Sequence, residues 1–560
     1  MIITCFSWIW IGISSLILGF AVYKLLNGIE KSTRLTPTMT VALGLSALAV
    51  YAEIFSLFYR VNVEANLLLL GIILLLTFLL RKDLCYTIAG WLRAAGKWRV
   101  LFILCLVPLL SLCASMQICS GDTFLYHEQA IRWIEDYGVV KGLGNLQTRY
   151  AFNSSFLCLQ ALFSLKFLTG GVSLHSVNGF ICWIFLSYSI CGMKVWKEKK
   201  PFLSDFARLA LTIFVAYNAK EMTAPGTDIF PLCLVAFIVS EWFSLLEEQC
   251  AETAPFAELC IVAVFCVSLK LSAAMLVLLT VRPAYFLIRE KKRKEIFAYL
   301  FAGVFVMLPF FIRNYYLSGW LVYPFESIDL FDVDWKIPVE TVQTERWRTL
   351  VSTREVYSLP NYDPNCEFKV WIQRWFRIGM VGKKYIMLLD VVSGAGALAA
   401  GLRRGIRKKD WNFFHVSATL VIYLVYWFFS APNVRYVRTV IYLLPLLLLG
   451  FVMAEIRRKW SGTFSKIFIC LTAAVSIGFL VKDAKYERRI LNWPYPYSVF
   501  FTGTAYELDG QTIYVPDIKN YISYEYFPSA LLEETLDNIE LRGETFADGF
   551  RTKDGVKYLF

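Results

Sequence analysis

The sequence predicts an all-α polytopic membrane protein with about 13–14 transmembrane helices, amphipathic helices in its first large outer loop and a small mixed C-terminal extracytoplasmic domain. Three observations lead there. Of 560 residues, 57% are hydrophobic and only 18% are charged, and the mean hydropathy is +0.54, a composition that soluble domains rarely have. The apolar residues fall in long runs, many close to the ~20 residues a bilayer span requires. The Lys and Arg behind the net charge of +12 gather in short loops between those runs. That pattern is the positive-inside bias, with anionic headgroups as the partner and no call on nucleic acid.

Taken in order, the runs are 2–24, 38–59, 63–80, 99–118, 173–193, 205–218, 228–246, 256–270, 272–289, 296–313, 380–402, 412–430, 434–454 and 464–482. No basic region precedes the first, so it reads as a span and not as a signal peptide. Residues 156–168 are short for a span and read as re-entrant or interfacial. The stretch 256–289 is split into two helices meeting at Lys270, because a lysine inside an apolar run marks a boundary. That split puts every basic loop on one side, and leaves 119–153, 314–379 and the tail from Asp483 on the other. The tail has 13 Asp/Glu against 8 Lys/Arg, with Pro494, Pro496, Pro516 and Pro528, and no run able to span. It reads as a small mixed extracytoplasmic domain. The division is therefore 1–98, accessory spans; 99–482, core; 483–560, C-terminal domain. The cysteines sit mostly in apolar runs as small hydrophobes; Cys119 and Cys366 fall in outer loops, where a disulfide is open to them.

The first outer loop holds the residue with most chemical potential, Asp122 in Cys119-Ser120-Gly121-Asp122-Thr123, just beyond a span end. A carboxylate at that level is reachable from both water and lipid. Its alternative role is an N-cap, since a helix pattern starts directly after it. On a helical projection Glu128, Gln129, Arg132, Glu135 and Asp136 share one arc. Phe124, Ala130, Ile131, Trp133, Ile134 and Tyr137 share the other, as in a helix lying in the interface plane. His127 falls on the apolar arc and is expected to be packed. Arg149 is a candidate anion ligand or an interfacial snorkelling residue.

Ionisable residues at other outer span ends extend the set. Lys270 is a phosphate ligand or a snorkelling lysine, and Asp228 is a site acid or a helix cap. Arg313 and Arg435 stand where the positive-inside bias disfavours arginine, and guanidinium forks suit phosphate oxygens. Asp332-Val333-Asp334 has a metal-motif spacing but reads as a surface pair; the three scattered His make a His/Cys metal centre unexpected.

The chain resembles the GT-C superfamily of polytopic glycosyltransferases, and looks most like a bacterial branch of large membrane proteins within it. The resemblance rests on Gly121-Asp122-Thr123, Arg149, Pro225-Gly226-Thr227-Asp228, Lys270-Leu271-Ser272, Arg313-Asn314-Tyr315 with Tyr323-Pro324, and Ala431-Pro432 with Arg435-Tyr436. It covers about 99–480. It implies inverting transfer of a sugar from a polyprenyl-phosphate donor to the hydroxyl of a glycan, lipid or protein acceptor. The setting would be the outer face of a bacterial cytoplasmic membrane, in cell-envelope glycan synthesis. Asp122 would be the general base, and Glu128, Arg132, Arg149, Asp228, Lys270, Arg313 and Arg435 would bind substrate. Many such enzymes carry a second acid beside the loop aspartate; here Thr123 stands there, with Glu128 as a substitute. The resemblance implies no assigned metal ligand, and the need for a divalent ion stays open. Two rivals remain: an outer-face oligosaccharide polymerase or ligase relying on Arg346, Arg348, Arg374 and Arg377, and a transporter or flippase of lipid-linked sugars, for which internal repeats would be expected.

Overall fold

In the computed structural model the described residues are 2–116, 118, 120–355, 366–379, 384–456, 459–486, 501–518, 520–557 and 559. The chain opens with four long helices, α1 (Ile2–Ile29), α2 (Pro37–Ser56), α3 (Val63–Ala95) and α4 (Lys97–Ala114). Thr36 caps α2 by accepting the Met39 amide, and Pro37 occupies its first turn, where a missing N–H costs nothing. A π-helical turn, Thr123–His127, leads into α5 (Glu128–Asp136), followed by the one-turn α6 (Leu143–Leu146) and α7 (Ser155–Leu162).

The middle of the bundle comprises α8 (Val177–Cys191), α9 (Leu203–Tyr217), α10 (Ile229–Glu247) and α11 (Ala254–Leu269). A 3₁₀ stretch, Leu271–Thr280, continues into α12 (Val281–Arg289), and α13 (Arg293–Ser318) follows. Beyond the loop helices α14 (Val339–Thr353) and α15 (Phe368–Arg374) come α16 (Lys384–Lys408), α17 (Asn412–Ser430), α18 (Arg438–Ile456) and α19 (Lys459–Tyr486). Among the described residues eleven helices have the length and apolar content to cross a membrane. The chain is thus an integral membrane protein of all-α, polytopic build. The runs near 173–193, 205–218 and 256–270 form shorter helices, α8, α9 and α11.

Two expectations about the 156–289 region fare differently. The segment 156–168 contributes only the two-turn α7, wholly buried among its neighbours. The 256–289 run does break at Lys270, whose backbone is extended between α11 and the 3₁₀ stretch.

α10 fixes the polarity of the bundle. At one end Asp228 precedes it; at the other, Glu247 accepts from Lys194 at 3.2 Å and Glu248 pairs with Lys194 at 3.0 Å and with Arg34. Inward of that basic end Arg208, buried, is matched by Asp205 and Glu241, the pairing a charge in a packed bundle needs.

The tail forms two antiparallel hairpins, β1 (Gly503–Leu508) with β2 (Gln511–Pro516) and β3 (Ile539–Leu541) with β4 (Phe550–Thr552), plus α20 (Glu533–Asn538). It sits on α5, which corrects the expectation of a helix lying in the membrane interface. Both arcs of α5 are covered by protein. Trp133 packs edge-on against Phe527, Phe546 and Phe550, while Gln129 donates to the Ser523 and Tyr526 carbonyls. Glu135 accepts from Tyr524 Oη at 2.7 Å.

Candidate functional site

Four charged side chains from distant parts of the chain form a ladder beside the π-turn. Arg435 Nη1 donates to Asp122 Oδ2 at 2.7 Å, and its Nε lies 2.9 Å from Asp228 Oδ2. Asp228 Oδ1 in turn takes Lys270 Nζ, which also lies 4.0 Å from the Tyr436 ring centroid. Each position has a local reason. Asp122 starts the π-turn, Asp228 starts α10, Lys270 sits at the break after α11, and Arg435 sits in the 3₁₀ turn Val434–Val437 before α18. A π-turn widens the helix by one residue and is often found at functional sites.

Of the two readings open for Asp122 and Asp228, site acid or helix cap, the cap is not formed. Neither side chain bonds to its helix terminus. A full guanidinium or ammonium charge is a stronger partner for a carboxylate than a neutral backbone amide.

The ladder opens on a recess of about 420 Å³ shared with bulk solvent, bordered among others by Ser120, His127, Asn218, Glu221 and Arg438. Arg438 donates to Asn218 Oδ1. Asn218, Glu221 and Arg438 escaped the sequence-level site. Their signal was present as polar residues inside Tyr217-Asn218-Ala219-Lys220-Glu221 and Arg435-Tyr436-Val437-Arg438.

Burial alone would raise the Asp122 carboxyl; the Arg435 charge, with smaller help from His127, Lys270 and the Arg435 hydrogen bond, overcomes it and holds the group below the usual carboxylate range. Asp122 is therefore ionised at neutral pH. Its Oδ2 is taken by Arg435, and Oδ1, without a partner among the described residues, can accept a proton. His127 is buried as its apolar position predicts, and it also borders the recess. Burial pushes it down to about 4, against the opposing pull of Asp122, so the ring is neutral. Its ring lies 4.2 Å from that of Tyr126, whose hydroxyl is pushed up by burial and then by the Asp122 charge.

The remaining sequence-level site residues divide. Arg149 is half-buried and, among the described residues, has no salt bridge or side-chain hydrogen bond. Its charge acts weakly on both Tyr126 and Tyr323. The other three are placed elsewhere. Glu128 is fully buried away from the recess, and burial, reinforced by Glu525, pushes its carboxyl well up; it does not replace a second acid beside Asp122. Arg132 is stacked on Tyr524 and Phe527 at 4.7 and 4.6 Å and pairs with Asp136. Arg313 is buried, donating to Ser56 and to Asn153 Oδ1 at 3.3 Å near Glu53. Its guanidinium thus joins α13 to α2 and not to the recess.

Asp334 binds Arg542 of the tail at 2.8 Å, which makes the Asp332-Val333-Asp334 triplet part of an interdomain ion pair. Among the described residues no group of three or more His, Cys, Asp or Glu is arranged to hold a metal ion. Cys119 lies outside the described residues, so its pairing with Cys366 is outside them too.

A family model described as "Domain of unknown function (DUF8201)" matches residues 1–442. No curated protein and no solved structure matches the chain. All four ladder residues fall inside the matched span, as do the first three helices, which the resemblance read from the sequence had left out.

Proposed function

The chain belongs to the DUF8201 family, and we propose that this member is an inverting membrane glycosyltransferase that moves a sugar from a polyprenyl-phosphate donor to an acceptor hydroxyl, with Asp122 as general base. The observation that carries the reading is the ladder: an ionised carboxylate held by Arg435 at a recess open to solvent, one oxygen without a partner among the described residues, with Lys270 linked to it through Asp228.

In the proposed reaction the acceptor oxygen attacks the anomeric carbon and passes its proton to Asp122 Oδ1. The carbon–oxygen bond to the phosphate breaks, and the polyprenyl phosphate leaves with the electron pair. Arg435 and Lys270 face the charge growing on the phosphate. Both are neutralised at rest by Asp122 and Asp228, so a bound phosphate takes a share of their hydrogen bonds from Asp228. The recess would face the extracytoplasmic side of a bacterial cytoplasmic membrane, opposite the basic loops.

The polymerase or ligase alternative has less support. Arg346 and Arg348, two of the arginines it would use, are already paired with Glu326 at 3.0 Å and Glu345 at 2.8 Å.

The test is transfer of labelled sugar from polyprenyl-phosphate donors by the full chain in liposomes. Asp122→Asn should lower turnover by ~10²–10⁴-fold, the usual share of a general base, while retaining donor binding. Wild-type turnover in that variant would refute the assignment. Movement of labelled lipid across the bilayer without any change in its mass would favour a flippase.

A further inference from the structure

A second pocket lies away from the ladder, between α16 and α17, with the π-turn Trp375–Gly379 at one end. Its empty volume is about 950 Å³. The lining is apolar with one exception, Asp390, which is 1% exposed and whose two carboxylate oxygens are both buried without a hydrogen-bond partner. Gly394, one helical turn on, also lines the pocket.

An isolated ionisable group within a span is costly, and such residues mark sites or have partners. Among the described residues Asp390 has no hydrogen-bond or ion-pair partner. Asp390 is six residues into α16, about 9 Å along the axis from the start of that helix. Val391, Val425 and Phe429, which also line the pocket, are more than half exposed on their helices. The pocket therefore opens sideways, toward lipid.

Four aromatic residues join an otherwise aliphatic lining. Trp375 lies 5.2 Å from Phe376 and 5.4 Å from Phe428, and Phe428 lies 5.3 Å from Phe429, each pair close to perpendicular. Aromatic rings and an unpartnered carboxylate lining one pocket supply the recognition chemistry of an ammonium ion: the π faces attract the cation and the acid neutralises it. A phosphate or a second carboxylate would meet like charge here.

We propose that this pocket binds the protonated primary amine of an aminophospholipid, with the ammonium at Asp390 and an acyl chain along the α16–α17 groove. The site is separate from sugar transfer and does not rest on it. Its role is to seat an annular lipid as a fixed part of the bundle.

The test is native mass spectrometry of the delipidated full-length protein titrated with phosphatidylethanolamine, N-acetyl-phosphatidylethanolamine and phosphatidylglycerol. Wild type should retain phosphatidylethanolamine about tenfold more tightly than either of the others, as fits the loss of a charged hydrogen bond. Asp390→Asn, nearly the same shape, should abolish that preference while still binding all of them weakly through the groove. Equal retention of the amine and N-acetyl lipids by wild type would overturn the proposal, whatever the variant does. So would an unchanged preference in Asp390→Asn. Tighter retention of phosphatidylglycerol would overturn it in favour of a protonated Asp390 donating to a phosphate.

Discussion

Asp122 and His127 share a recess and are driven to opposite charge states by one environment. The net pull of its cationic neighbours keeps the Asp122 carboxyl below its unfolded value, so its stabilising contribution is present above about pH 4 and fades only below that. The His127 ring has a folded value of about 4 against an unfolded 6.5, so stability is full above pH 6.5 and declines as pH falls toward 4. The size of that decline is about 3 kcal/mol for a shift of this extent. Thermal unfolding of purified protein between pH 7 and 4 should therefore show a fall that His127→Phe makes distinctly shallower. An unchanged profile in the variant would assign the fall to other groups. At this scale the sequence was only half legible. It singled out Asp122, Asp228, Lys270 and Arg435 by their place at span ends, but for the two acids it left a helix cap open beside a site role. Capping preference is local, whereas the partner of Asp122 is 313 residues away, beyond what any window along the chain contains.

The same distance explains what was misread in the elements. The polar arc of α5 has the pattern of a helix meeting water or headgroups, and it meets the tail instead. Arg132 reaches the Tyr524 carbonyl 392 residues on. By contrast the break at Lys270 was readable, because a lysine interrupting apolar sequence acts on its own helix. Arg313 stood out as an anomalous outer arginine, and the anomaly was real; its explanation is a polar junction with Ser56, Asn153 and Glu53 rather than a ligand. The tail–α5 contact turns on Trp133, fully buried among the rings of Tyr137, Phe527, Phe546 and Phe550. Trp133→Ala should destabilise this unit by about 3–5 kcal/mol, read as early proteolytic release of the tail while the helical bundle still unfolds near its wild-type temperature. Resistance equal to wild type would place the anchor elsewhere.

Across the whole molecule the first helices belong to the bundle rather than beside it. α1 and α2 meet backbone to backbone: a Cβ on Gly19 would fall on the Thr40 carbonyl, and one on Gly44 on that of Ser15. Such small-residue contacts replace hydrophobic driving force inside lipid. Trp8 Nε1 donates to the Ser176 carbonyl at 2.9 Å and Ser7 joins Ser176 Oγ at 2.6 Å, tying α1 to the start of α8. Gly44→Leu should separate α1 from α2 at a cost above the ~1–3 kcal/mol of ordinary overpacking, because backbone cannot yield as a side chain does. The readout is yield of folded protein after detergent extraction; wild-type yield would refute the close contact.

The tail's place on the Asp122 segment also sets an order of events during synthesis. Ile522 donates its amide to the Phe124 carbonyl, and Tyr521 stands against Gly121, so the turn that follows Asp122 is braced by residues translated about 400 positions later. A ribosome pausing anywhere before codon 521 holds a bundle in which that turn lacks both braces.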